Sequence, residues 1–166
     1  MNKLIYLGIF TAIISITACH NNDDDNNDPN ILNGSFHAVI DGVAWDAEAD
    51  NVGAVVIVSG GVTTLSISSS SAADTSHFFF TFPYFTNTDT VIANPFASGT
   101  VLRFQDYKVG GGVFDANTGT LNVSKSIQDG IETYTGTFNG NFRGVPFDTL
   151  NIKVITGGTF TAKRLI

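Results

Sequence analysis

The sequence predicts an all-β domain, an antiparallel β-sandwich of about nine or ten strands. Short β-prone runs recur from residue 34 to residue 166, and Gly-Gly, Asp-Gly or Ser-rich stretches separate them. No stretch of ten or more residues shows a helical period. Because nearly every connection reads as a local hairpin, a closed up-and-down barrel of lipocalin type, holding a small apolar ligand, is the alternative.

The first hairpin is Phe36 to Ala47. Asp41-Gly42 sits between two β-prone runs, the signature of a two-residue type I′ turn. That register puts Ile40 opposite Val43, Ala38 opposite Trp45 and Phe36 opposite Ala47 on the core side. His37 then faces Asp46, and Ser35 faces Glu48, on the wet side, where a surface ion pair is the natural reading. Val52 to Val58 and Val62 to Ser68 are the next two strands, joined at Ser59-Gly60-Gly61, and a polar loop is expected from Ser69 to Ser76.

His77 to Phe85 reads HFFFTFPYF. Alternation places Phe78, Phe80, Phe82 and Tyr84 on one face and Phe79 and Phe85 on the other, and Pro83 marks an edge or bulge. Two readings compete. Large aromatics dominate cores, which makes this a central strand buried on both sides. Alternatively Phe79, Tyr84 and Phe85 form an exposed platform for sugar rings or for an apolar patch on a partner, and these three are the candidate binding residues.

Val101 to Phe104 and Tyr107 to Phe114 follow as strands, the second thinned by Gly110-Gly111-Gly112, which suggests a bulge or a close backbone approach. Asp115-Ala116-Asn117-Thr118-Gly119 begins like a calcium loop but has Ser126 at the twelfth position, so a hairpin turn is expected. Leu121 to Ile127 and Thr133 to Phe142 come next. In the latter Tyr134, Gly136, Phe138, Gly140 and Phe142 alternate with Thr and Asn, which means one buried and one wet face. Thr149 to Thr156 and Thr159 to Leu165, joined at Gly157-Gly158, are expected to close the chain as a last hairpin.

The chain before the domain carries its own message. One Lys and an uncharged apolar run, Leu4 to Ile16, form the n- and h-regions of a secretory leader, too short for the roughly 20 apolar residues of a membrane span. Ile16-Thr17-Ala18-Cys19 resembles the lipobox of a bacterial lipoprotein signal peptide. The resemblance implies that residues 1–18 are the leader and that Cys19, the only cysteine, is the acylated (palmitate-bearing) first residue of the mature chain. Several acyl chains would make the anchor permanent where one holds only marginally. Residues 19–33 are an acidic tether with almost nothing to bury, and 34–166 are the domain.

Once Lys3 leaves with the leader, seven basic residues face fifteen acidic ones, a side-chain charge of −8. Phosphate binding needs clustered Lys and Arg, so nucleic acid is not an expected partner. Charged residues make up 14% of the chain against a usual figure of about 25%, which predicts a neutral, hydroxyl-rich surface. With Cys19 acylated no thiol remains, and two histidines in the domain do not make a zinc site, so neither a metal nor a cofactor is expected.

Several stretches together resemble a family of uncharacterised exported lipoproteins from Bacteroidota, of Flavobacteria type: Phe-x-Ala-x-Ile-Asp-Gly-x-x-Trp (Phe36 to Trp45), Tyr-Thr-Gly-Thr-Phe (Tyr134 to Phe138) and Ile-Thr-Gly-Gly-Thr-Phe (Ile155 to Phe160). The resemblance implies an all-β lipoprotein of the outer membrane and no known activity. The acidic run Asp23 to Asp25 also resembles the surface-export signal of that phylum, with a plain solvated spacer as the other reading. Asp89-Thr90-Val91 and Asp148-Thr149-Leu150 look like its three-residue O-glycosylation signal.

No Gly-x-Ser-x-Gly elbow or His-Glu-x-x-His pair is present, so the sequence offers no catalytic residues. The expected function is a lipid-anchored module of the outer membrane, surface-exposed or on the periplasmic face, that binds a glycan or an envelope protein. The alternatives are a structural accessory subunit and a glycoside or cell-wall hydrolase. The hydrolase would use a carboxylate pair drawn from Asp41, Asp46, Glu48, Asp50, Asp106 and Asp115.

Overall fold

The computed structural model describes residues 32–71, 75–85, 100–108, 111–145 and 150–166, together with the backbone pairing of 89–92. Cys19 and most of residues 1–33, where a leader and an acidic tether are expected, lie outside the described residues, as does Thr149.

Ten strands carry the described chain: β1 (Ser35–Ile40), β2 (Val43–Asp46), β3 (Val52–Ser59), β4 (Val62–Ser71), β5 (Ser76–Pro83), β6 (Asp89–Ile92), β7 (Val101–Asp106), β8 (Val113–Gln128), β9 (Ile131–Val145) and β10 (Ile152–Leu165). Every pairing between them is antiparallel. A single 3-10 turn, Ala49–Asn51, is the one helical piece among the described residues. The all-β antiparallel architecture expected from the sequence is the one observed.

One hydrogen-bonded path runs β2-β1-β10-β9-β8-β7-β5-β4-β3, and β6 adds to the second half of β8. This sheet curls on itself, so that β3 at one end of the path comes against β10 near the other and the rings of β1, β9 and β10 pack on those of β5 as the layers of a sandwich do. The rings show the closure. Phe36 near one end stacks on Phe78 of β5 at 5.0 Å and lies 5.4 Å from Phe80, while Phe138 and Phe160 of β9 and β10 complete its surroundings at 5.1 and 5.9 Å. The 3-10 turn carries the chain from β2 at one end of the path to β3 at the other. At that seam Gly34 lies so close to Val52 and Thr161 that an added Cβ would come within 2.7 Å of the Val52 Cβ and 2.5 Å of the Thr161 oxygen.

The first hairpin has the expected register, Ile40 with Val43 and Ala38 with Trp45, across Asp41 and Gly42 at φ 52° and 84°, but Val43, beside the turn at the sheet edge, is exposed rather than in the core. Only a residue that tolerates positive φ fits there, which is why Asp-Gly forms the turn. Trp45 is buried and donates its indole N–H to Ser76 Oγ at 2.7 Å, pinning the β2 edge to the start of β5.

Four boundaries differ from the sequence reading. Ser69 to Ser71 are not loop but continue β4, and Ser76 opens β5, because Ser69 pairs with Phe78 and Ser71 with Ser76 in a buried layer where small residues pack. Tyr107 to Phe114 is not a strand throughout. β8 starts at Val113, and Gly111 packs against the Asp106 carbonyl, the close approach the glycines suggested. Asp115 to Gly119 is not a hairpin: β8 runs through it with a bulge between Ala116 and Thr118. Gly157-Gly158 is likewise no turn. β10 is continuous there with a bulge after Ile155, because β1 on one side and β9 on the other hold it extended, and Gly158 leaves room for the Phe138 ring.

Candidate functional site

The structure does not bring Phe79, Tyr84 and Phe85 together. Phe78, Phe80 and Phe82 are fully buried, so the core reading holds for that face of β5. Phe79 points the other way and is 39% exposed, so an outward aromatic is also present. Pro83 ends the strand, the alternation lapses, and Phe85 turns inward to stack on Phe82 and meet Tyr134 edge-on. Tyr84 is half-buried beside it. A three-ring platform is therefore corrected to one outward ring, Phe79, and an inward pair.

Phe79 sits in a row of cross-strand neighbours that register places on one outer face: Ser68 on β4, Phe79 on β5, Arg103 on β7, Asp115 on β8 and Arg143 on β9. Arg103 and Asp115 form a bidentate pair, Nε to Oδ1 at 2.6 Å and Nη2 to Oδ2 at 2.9 Å. The Asp115 hydrogen bond outweighs burial and holds the Arg103 guanidinium above its usual pKa. Beside the row, Val55, Ile57 and Val101 are exposed around the half-buried Thr81, whose hydroxyl bonds that of the buried Ser66 at 3.2 Å. The face thus offers one flat ring, aliphatic surface, hydroxyls and a planar ion pair, the mixture that suits a sugar ring with its apolar C–H face and polar rim.

Tyr84 and Phe85 belong to a different feature, which the sequence reading missed. Glu132 is 3% exposed and accepts from Tyr84 Oη at 2.9 Å, from Arg164 Nε at 2.6 Å and from Tyr134 Oη. Lys125, 6% exposed, donates to the Phe85 carbonyl at 2.9 Å and lies 3.9 Å from Glu132 Oε1 and 4.9 Å from the Tyr84 ring centre. Burial alone would raise the Glu132 pKa, but the hydrogen bonds from Arg164, Tyr134 and Tyr84 and the Arg164 charge win and hold it below the usual carboxylate range. Burial and the Glu132 contact push Tyr134 well above the usual phenol range, so it stays a neutral donor. The cluster is a fixed, charged, water-poor plug between β5, β8, β9 and β10.

A cleft of about 250 Å³ opens at the end of the domain near the first hairpin, lined by Asp41, Val43, Trp45, Ser76, Asp106 and Lys153 among others. Asp41 accepts from Val154 N at 2.8 Å and Lys153 Nζ at 3.0 Å, and Asp106 accepts from Lys108 N at 3.0 Å. The other acids the sequence offered are spread out. Asp46 pairs with His37 at 2.6 Å on the wet face as expected, Glu48 accepts from Asn51 at 3.1 Å, Asp50 lies in the 3-10 turn, and Asp115 is held by Arg103. Among the described residues no three His, Cys, Asp or Glu side chains gather as a metal set.

No family model, curated protein or solved structure matches the chain, so its function rests on these surfaces.

Proposed function

We propose that the chain is a lipid-anchored outer-membrane lipoprotein, held through Cys19 and facing outward, whose β-domain is a glycan-binding module. The observation that carries the reading is Phe79, an aromatic ring held outward beside hydroxyls and the Arg103–Asp115 pair while its neighbours on β5 fill the core. A ring on a sheet face loses little entropy when a sugar stacks on it, because its rotamer is already limited by the strands on either side. The acidic tether leaves the domain free to reach a polymer above the membrane.

The test is native affinity electrophoresis of the full chain in neutral detergent, through gels containing soluble polysaccharides, with reducing sugar assayed in the same lanes. The wild type is expected to be retarded by at least one polymer without releasing sugar, and Phe79→Ala to lose roughly tenfold in affinity, the worth of one stacked ring at about 1.4 kcal/mol. Equal retardation of Phe79→Ala and wild type would overturn the Phe79 surface. Sugar release would favour the hydrolase reading, for which Asp41 and Asp106 share the end cleft. The anchor has its own test. Cys19→Ser is expected to leave the chain unprocessed or detached from the membrane, and normal membrane retention of that variant would overturn the lipoprotein reading.

A further inference from the structure

Arg143 stands at the far end of the Phe79 row, paired in register with Asp115 on one side and Ile152 on the other. Its Nε is buried without a hydrogen-bond partner, and no described carboxylate lies within ion-pair reach of its guanidinium. Asp115 is the one acid the register puts on this row, and both of its oxygens are taken by Arg103. His77, one row over on the same face, is held below its usual pKa by burial and adds no charge at neutral pH. The row therefore carries one surplus positive charge, on a protein whose net charge is −7.

We infer that the polymer recognised by the Phe79 face is acidic, a polysaccharide bearing carboxylates such as uronic-acid residues, and that Arg143 is the group that receives a carboxylate. The inference rests on the glycan reading above and names its substrate class. Three facts support it. The guanidinium fork matches a planar carboxylate in two parallel hydrogen bonds. Arg143 is already partly desolvated, so an incoming anion meets a charge that water screens less than at an open surface. Phe79 and Arg143 are three strand spacings apart, about 14 Å across the sheet, a reach that an oligosaccharide of several units covers and a single sugar does not. The ligand is thus a chain, stacked at one end and ion-paired at the other.

The experiment is affinity electrophoresis of the full chain in gels containing dextran, dextran sulfate or polygalacturonate, with Arg143→Gln and Arg143→Lys beside the wild type. Retardation by polygalacturonate, weakened by added salt, is expected for the wild type, with at least a tenfold loss in Arg143→Gln and a smaller loss in Arg143→Lys, which keeps the charge but not the fork. Thermal unfolding of each variant checks the fold; because the Arg143 Nε has no hydrogen-bond partner among the described residues to lose, both are expected to melt close to the wild type. Should Arg143→Gln fail to fold, the salt dependence on polygalacturonate against dextran decides. Equal retardation by dextran and polygalacturonate would overturn the acidic class and leave the glycan reading standing. Retardation by dextran sulfate alone would overturn the carboxylate assignment. Unchanged retardation of a folded Arg143→Gln would remove Arg143 from the site, and no retardation by any polymer would overturn both readings.

Discussion

Replacing Glu132 by glutamine is expected to destabilise the domain by about 3 kcal/mol at neutral pH, because removing one partner of a buried ion pair leaves the others uncompensated. Here two cations, Lys125 and Arg164, share that one described carboxylate, and all three are mostly shielded from water. The loss should depend on pH in a definite direction. Because the folded-state pKa of Glu132 lies below its unfolded value of 4.5, the stability it contributes is complete above about that pH and is lost as pH falls toward and through the folded value. The gap between wild type and Glu132→Gln in equilibrium urea unfolding should therefore be widest at neutral pH and shrink toward about pH 3. A gap that stays constant over that range would mean that the carboxylate charge is not what the cluster depends on.

Phe36→Ala is expected to cost about 4 kcal/mol, enough to consume much of the stability of an ordinary domain. Five rings surround Phe36 within 5.9 Å: Trp45, Phe78, Phe80, Phe138 and Phe160. They come from β2, β5, β9 and β10, so the cavity would open where the two ends of the sheet lean on each other and could not collapse without uncurling it. Trp45, the only tryptophan, packs edge-on against both Phe36 and Phe78 and reports the change by fluorescence during denaturation. Val43→Ala, on an exposed side chain of the same hairpin, should shift stability by less than about 0.5 kcal/mol. Comparable losses in the two variants would mean that the Phe36 cluster is not the centre of the core.

What could be read in advance followed the range of the interactions involved. Asp41-Gly42 and the alternation of Tyr134, Phe138 and Phe142 are local patterns, and their turn and inward face are present as read. Gly157-Gly158 failed because its conformation is imposed by β1 and β9 on either side, and neither is near in sequence to reveal it. The Glu132 cluster carried a signal that alternation alone could have exposed. Glu132 shares its parity with Tyr134 and Phe138, Lys125 with Leu121 and Val123, and Arg164 with Phe160 and Ala162, so three charges were written on inward positions. That they meet could be known only from the pairing of β8, β9 and β10. Phe79 was legible as an outward aromatic. Arg143 gives no signal in the sequence, because a guanidinium nitrogen left unpaired by its described neighbours looks the same there as a paired one.

The register of the curled sheet also has a vertical sense. The row that holds Phe79 starts at Gly53, next to Val52 and hence beside Gly34, where the chain enters the fold. Followed through Arg103, Asp115 and Arg143 it reaches Ile152, whereas the part of β10 that touches Gly34 is Thr161. The difference along β10 amounts to roughly 25 to 30 Å at the rise of a strand. The row is therefore a rising spiral, a ramp around the molecule from the seam at Gly34 to the opposite pole. If the chain is anchored through Cys19 as proposed, a polymer lying along it would have its stacked end low, toward residue 34, and its ion-paired end at the pole farthest from the membrane.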